Sequence, residues 1–262
     1  MGAQTRESLE AIATMASEAT AATPEALSGL FGAAQALAEY PSLLAALADA
    51  SHDASDRTAL LDSALSALDA GARELLDSIV EQSWSTPADL LQGIEECGVR
   101  MSASLADADT VVSQLLSLSR IIRGNALLQF ALSDKRASER SKRDILRALG
   151  AKKMDPIALE VAAYVASQSR GRRASEALVE AAELVCDQDG RGLAEVRVAQ
   201  ALDATQQKSL QAQLTKRFGR ESYLDVVIDP EVIGGARIRV GDVVIDGSVA
   251  TQLGQMRRQL AG

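Results

Sequence analysis

The sequence predicts an α+β chain that is mostly α, with an N-terminal multi-helix bundle, duplicated, followed by a small β-α-β-β-β-α domain. Three observations predict it. Apolar residues recur at helical spacing up to about residue 190 and alternate with polar ones after it. Hydrophobic residues make up 47% of the chain but aromatics only 3%, so much of the apolar content is Ala and Leu, which favours close-packed helices. Gly190 and Gly192 mark the switch between the two patterns.

Helix starts are written plainly. Thr23-Pro24, Thr86-Pro87 and Asp155-Pro156 each set an N-cap side chain before a proline at the first helical position. Ser55 is expected to cap a helix whose buried face carries Leu60, Leu61, Leu65 and Leu68. Comparable buried faces are read over 27–40, 43–47, 75–80 and 90–94, then over 111–122, 127–132, 145–149, 157–165 and 178–185. Ten or more short helices in this length mean a bundle with short connections.

The helical part repeats its own order. In 43–97 a short Leu-rich helix is followed by a polar turn, a helix with paired aliphatics, a longer helix, and a last one near Cys97; in 127–186 the order recurs. Leu43-Leu44 answers Leu127-Leu128, Leu60-Leu61 answers Ile145-Leu146, Glu81-Gln82-Ser83 answers Ser167-Gln168-Ser169, and Cys97 answers Cys186. The offset drifts from 84 to 89 residues, too long for a solenoid unit of about 20–50. A duplicated bundle is expected.

Beyond Gly192 the period falls to two. Glu195-Val196-Arg197-Val198 reads as a half-buried strand, and Asp203 caps a helix through Leu210, Leu214 and Phe218. Leu224, Val226 and Ile228 share one face of a second strand. Ile238 and Val240 lead into Gly241-Asp242, a two-residue hairpin turn, and Val243 and Ile245 return from it. Ser248 is expected to open a final helix with Leu253 and Leu260 on its apolar side.

Charge divides the chain into blocks. Residues 1–112 carry 18 acidic and 4 basic side chains, 113–192 carry 10 and 14, and 193–262 carry 8 and 9, giving −9 overall. No apolar run approaches the roughly 18 residues of a membrane span. Cys97 and Cys186, far apart and without CxxC spacing, suit a reducing compartment and read as small core residues.

Chemistry is sparse. The sequence has no GxxxxGK[ST] phosphate loop and no GxSxG elbow, and the single histidine, His52, excludes a multi-histidine metal site. Asp187, Asp189 and Gly192 imitate the start of a calcium loop, but Val198 stands where a bidentate Glu is required. Trp84 reads as a packing anchor or partner contact. Lys135, Arg136, Arg140, Lys142, Arg143, Arg147, Lys152 and Lys153 form the strongest positive cluster, with Arg140, Arg143 and Arg147 on one helix face opposite Leu146 and Leu149. One reading makes this a helical adaptor for nucleic acid or another acidic partner. No aromatics interleave for base stacking and the chain is acidic, which favours a solvated or protein-facing stripe.

The run from Val226 to Val249 carries the strongest signal. Asp229, the pair Gly234-Gly235, Ile238-Arg239 followed by Gly241-Asp242, and Asp246-Gly247-Ser248 together closely resemble the signature of the delta subunit of F-type ATP synthase, the bacterial counterpart of the oligomycin-sensitivity-conferring protein. Against that family an ordinary-length subunit covers about 95–262. The resemblance thus divides the chain into an extra acidic helical repeat at 1–95, a helical bundle at 96–190, and a small α+β domain at 193–262, as in extended actinobacterial forms. The family's first-helix Tyr-Ala-x-Ala-Leu-Phe pattern is not clear before the second block, and Leu27-Ser28-Gly29-Leu30-Phe31 is a faint echo of it in the first.

The resemblance implies a non-catalytic stator subunit of the peripheral stalk, present in one copy per complex and without cofactor or metal. Its helical domain would grip an N-terminal helix of an alpha subunit in the catalytic head, and its C-terminal domain the end of the b subunit. It would meet the membrane only through b, on the cytoplasmic face of the plasma membrane, and would bind no nucleic acid. The signature glycines are expected to supply positive φ in the turns of the C-terminal sheet.

Overall fold

The computed structural model describes residues 2–18, 22–168, 170–232 and 234–247. It comprises two compact units, residues 1–188 and 189–262.

The first unit is all helix. It runs α1 (Ala3–Glu18), α2 (Pro24–Glu39), α3 (Pro41–Ala48), α4 (Ala54–Ala64), α5 (Ala70–Glu81), α6 (Pro87–Leu105), α7 (Ala108–Gly124), α8 (Ala126–Ser133), α9 (Glu139–Gly150), α10 (Pro156–Ser167) and α11 (Ala174–Gln188). The three cap-proline pairs do what their chemistry dictates. Thr23 accepts from the Ala26 amide, Thr86 from Asp89, and Asp155 from Ile157 and Ala158. Ser55 does not cap α4: Asp53 holds that position, and the helix stops at Ala64, leaving Leu65 and Leu68 beyond its end.

Helix α1 lies outside the sequence expectation because its buried stripe is barely apolar. Thr5, Ser8, Ile12 and Ala16 face inward, all at most 3% exposed. The hydroxyls are satisfied across the seam: Thr5 donates to Asp89 Oδ2 at 3.0 Å and Ser8 to the Ser83 carbonyl at 2.7 Å.

The repeated order is visible element by element. Helices α2 to α6 have 16, 8, 11, 12 and 19 residues, and α7 to α11 have 17, 8, 12, 12 and 15. Asp69 caps α5 with two backbone bonds, as Asp155 caps α10. Arg57 on α4 and Lys142 on α9 stand at the same 85-residue offset as Leu61 and Leu146, and both cations are buried. Arg57 Nη1 donates to the carbonyls of Val80 (2.6 Å) and Gln82 (3.2 Å), neutralising the C-terminal end of α5.

The division drawn at 95/96 falls inside α6. The two runs share that rod, and the helical part is one compact unit to Gln188 instead of two domains. Helix α6 packs against α1, α2, α3 and α5 as well as α7, α10 and α11, and every residue from Glu96 to Ser102 is buried. A helix covered all round is the centre of a core.

The second unit is a four-stranded sheet with one described helix. Strand β1 (Gly192–Val198) leads to α12 (Ala204–Phe218), then β2 (Ser222–Ile228), β3 (Ala236–Val240) and β4 (Val243–Asp246), in the spatial order β2-β1-β3-β4. Strand β1 pairs parallel with β2 through the α12 crossover, and antiparallel with β3. Asp203 and Gln206 form a reciprocal capping box at the start of α12, and Gly219 closes its end at φ +76. Ala194, Val196, Val198, Leu214 and Ile238 form the core, with Leu210, Phe218, Leu224, Val226 and Ile245 packed against it. Ile228, expected on the same face, is 59% exposed because it ends the edge strand. The final helix expected from Ser248 lies outside the described residues.

Candidate functional site

Three places in the structure bear on what the protein can hold: the joint between the two helical runs, the signature region of the sheet, and the basic cluster around α9.

The joint is built around α6. Phe31 of α2 stacks on Tyr164 of α10, ring centroids 4.2 Å apart and planes 7° from parallel. Gly98 of α6 makes room for it, since a Cβ there would lie 2.6 Å from Phe31 Cε1. Tyr164 donates its hydroxyl to Glu95 Oε1 at 2.6 Å, and Arg170 pairs with the same carboxylate at 2.6 Å. Burial raises the Glu95 carboxyl above its ordinary range, opposed by the Arg170 guanidinium and the Tyr164 hydrogen bond. Burial and the Glu95 carboxylate push the Tyr164 phenol up. Nearby, Arg100 bonds Glu96 and Asp187, each at 2.9 Å, and Gln188 donates to the Ala13 carbonyl at 3.0 Å. Arg143 reaches back to Gln35. Most of these partners were unreadable in the sequence, because pairs separated by 69 to 175 residues leave no local spacing.

The signature residues converge on one sheet. Asp229 accepts from the Glu231 amide at 3.0 Å and faces Arg197 at 3.5 Å. Gly234 (φ +69) and Gly235 (φ +74) lie in the β2–β3 connection. Gly241 has φ +55 and Asp242 a negative φ, the arrangement of a type II′ hairpin turn between the Val240↔Val243 pair. Ile238 is in the core, while Arg239 pairs with Glu195 (3.3 Å) and Asp246 with Arg237 (3.1 Å) on the opposite face. The Gly247 amide closes the ladder on the Ala236 carbonyl at 3.0 Å. The carboxylate of Glu195 also holds Arg197 at 2.6 Å, which raises the pKa of that guanidinium. Ser248 lies outside the described residues.

The basic cluster is not uniformly open to solvent. Arg147 grips Glu160 at 2.8 Å, Arg143 is half-buried against Gln35, and Lys142 is buried. Leu149, expected opposite them in the core, is 48% exposed, as Ile145 is at 39%. Trp84 is a packing anchor: its indole donates to the Ile79 carbonyl at 2.9 Å and its ring lies over Gly93. His52 sits exposed near Asp49 in a turn. Cys97 and Cys186 are fully buried, and burial pushes the Cys97 thiol up to about 12, which keeps it unreactive. Asp187 and Asp189 of the calcium mimic pair with Arg100 and Arg191.

Similarity to known proteins runs the whole length of the chain. The family model described as ATP synthase delta (OSCP) subunit matches residues 100–260, from the middle of α6 through the sheet. The ATP synthase subunit delta of Leifsonia xyli subsp. xyli is 36% identical over all of both chains. The chain belongs to the ATP synthase delta (OSCP) subunit family. Delta subunits of Thermobifida fusca and Renibacterium salmoninarum are 34% and 31% identical, covering 89% and 96% of this chain and 88% and 96% of their own. The match to the Leifsonia xyli subunit therefore includes the sequence ahead of residue 100.

As a delta subunit the protein is a stator component of the synthase and a peripheral part of that membrane-bound complex. No described helix is long and apolar enough to cross a membrane.

Proposed function

We propose that the helical unit holds an alpha subunit of the catalytic head through an N-terminal helix of that subunit, and that the sheet unit holds the end of the b subunit. One copy serves each complex, on the cytoplasmic face of the plasma membrane, with b as the route to the bilayer. The two helical runs act as one rigid module, and the protein contributes no catalysis of its own.

The observation that carries this reading is the full-length match to a delta subunit. Physical arguments support it. Two compact units suit two partners, and helical bundles take amphipathic helices in grooves. The sheet's polar face carries a ladder of opposite charges from Glu195 to Asp246, suited to a partner that must be held in register. The load is substantial, since each ion crossing about 100 mV delivers roughly 2.3 kcal/mol. A nanomolar contact stores about 12 kcal/mol, so contacts of that quality resist the torque.

The test is co-purification of the tagged full chain from its own cells with separate probes for alpha and b. Recovery of both, with b lost selectively when Gly235 is replaced by Val, supports the assignment. Recovery of neither overturns it.

A further inference from the structure

We propose that the run ahead of residue 100 is a mechanical brace: helix α1, acting with Arg100 of α6, locks the last turn of α11 and so confines the connection to the sheet unit to residues 189–191. The locking is a property of the helical unit alone. Its mechanical use rests on the partner roles proposed above.

The end of α11 is poorly supported by its own sequence. Its last turn carries no basic residue, and Asp187 sets a carboxylate beside the carbonyl end of the helix, where negative charge is unfavourable. Asp187 is also exposed. Beyond Gln188 the sheet unit begins at Asp189 and β1 at Gly192, with Gly190 at φ +75 turning the chain between them. A helix end of this kind frays, because its last carbonyls lack partners. Each residue lost from α11 would lengthen a connection that holds only Asp189, Gly190 and Arg191.

Two groups from elsewhere in the helical unit supply what α11 lacks. Arg100 Nη1 donates to Asp187 Oδ2 at 2.9 Å and to Gln188 Oε1 at 3.3 Å. Arg100 is buried and aimed by Glu96, whose Oε1 accepts from its Nε at 2.9 Å. A cation borrowed from α6 thus stands at the negative end of α11 and neutralises Asp187. The other half of the Gln188 side chain is held by α1, since Nε2 donates to the Ala13 carbonyl at 3.0 Å and to Ser17 Oγ at 2.5 Å. Helix α1 can brace this point because its far end is tied down as well, Thr5 to Asp89 and Ser8 to the Ser83 carbonyl. Its 16 residues span ~24 Å, from the start of α6 to the end of α11. Load that enters one unit and leaves by the other crosses residues 189–191, and hinge motion is taken up by a few such residues. A firm end to α11 keeps that hinge short.

The experiment uses the full chain and the reconstituted synthase. Amide hydrogen exchange compares wild type with Asp187→Ala/Gln188→Ala, which removes the lock without touching a fully buried residue. Ala is the better helix former, so propensity alone would slow exchange at this helix end. The lock predicts the opposite, roughly tenfold faster exchange at 186–191 with an unchanged melting curve, as the loss of charge-assisted hydrogen bonds implies. Exchange at 13–18 should rise too, and Ser17→Ala, which alters α1 alone, should move 186–191 in the same direction by a smaller factor. In the complex the double variant should still co-purify with alpha and b, while proton-driven ATP synthesis falls below the wild-type rate. Exchange at 186–191 no faster than in wild type overturns the brace. Faster exchange with synthesis at the full rate overturns its mechanical use. Failure of the wild type to hold alpha and b overturns the partner reading and that use together, and the locking is then decided by exchange alone.

Discussion

The rings of Phe31 and Tyr164 lie stacked with centroids 4.2 Å apart and planes 7° from parallel, joining the second helix of the chain to the tenth. Phe31 belongs to the run ahead of residue 100 and Tyr164 to the part matched by the family model. The pair therefore ties the N-terminal extension to the ordinary delta subunit, over a glycine in the helix that both runs use.

Replacing Phe31 with Ala should cost about 3–5 kcal/mol, as for other buried aromatics truncated in a core. A cycle of Phe31→Leu with Tyr164→Leu isolates the ring pair, for which a coupling of about 0.5–1.5 kcal/mol is expected. Denaturant titration of the four proteins measures both.

Gly98→Val should destabilise the unit by about 1–3 kcal/mol through overpacking against Phe31. Combining it with Phe31→Leu should recover part of the loss. A double variant no more stable than Gly98→Val alone would place the strain elsewhere.

Glu95 makes stability depend on pH. Burial raises its folded-state pKa, so the native protein binds the proton more tightly than the unfolded chain, for which the ordinary value is 4.5. The associated stability is full below that value and is lost as pH rises through the raised folded-state pKa. Glu95→Gln should flatten this part of the profile. Melting curves of both proteins from mildly acidic to neutral pH provide the comparison, and parallel profiles would count against the assignment.

Arg57→Met removes the buried cation from the C-terminal carbonyls of α5, with an expected loss of at least about 1.5–3 kcal/mol. Arg57→Lys should lose less, since Lys142 stands at the corresponding place in the second run. Urea unfolding ranks the two.

In the sheet unit, Gly235 has φ +74, so Gly235→Val should cost about 1–2 kcal/mol. It should also weaken binding to b. Unchanged affinity together with an unchanged melting curve would remove the structural role assigned to this glycine.

Much of this was legible because it is local. Thr-Pro and Asp-Pro pairs state where helices begin, alternation at 195–198 states a strand, and Gly241-Asp242 states a hairpin. Helix α1 was not, because Thr5 and Ser8 fill its inward stripe with hydroxyls that only a partner segment can satisfy. Nor was the single helical unit. The break suggested near residue 95 is a continuous helix, and Glu95 finds its partners 69 and 75 residues away. Leu127 and Phe130 have the spacing of core residues, and only tertiary packing decides that their face is left open.

The role proposed for the protein is to hold the head still without performing chemistry. Its most direct test is proton-driven ATP synthesis by the reconstituted complex with and without this chain, measured beside ATP hydrolysis by the detached head. Removal should abolish synthesis, leave hydrolysis by the head intact, and be reversed by adding the chain back. Synthesis that persists at its full rate without it would contradict the account.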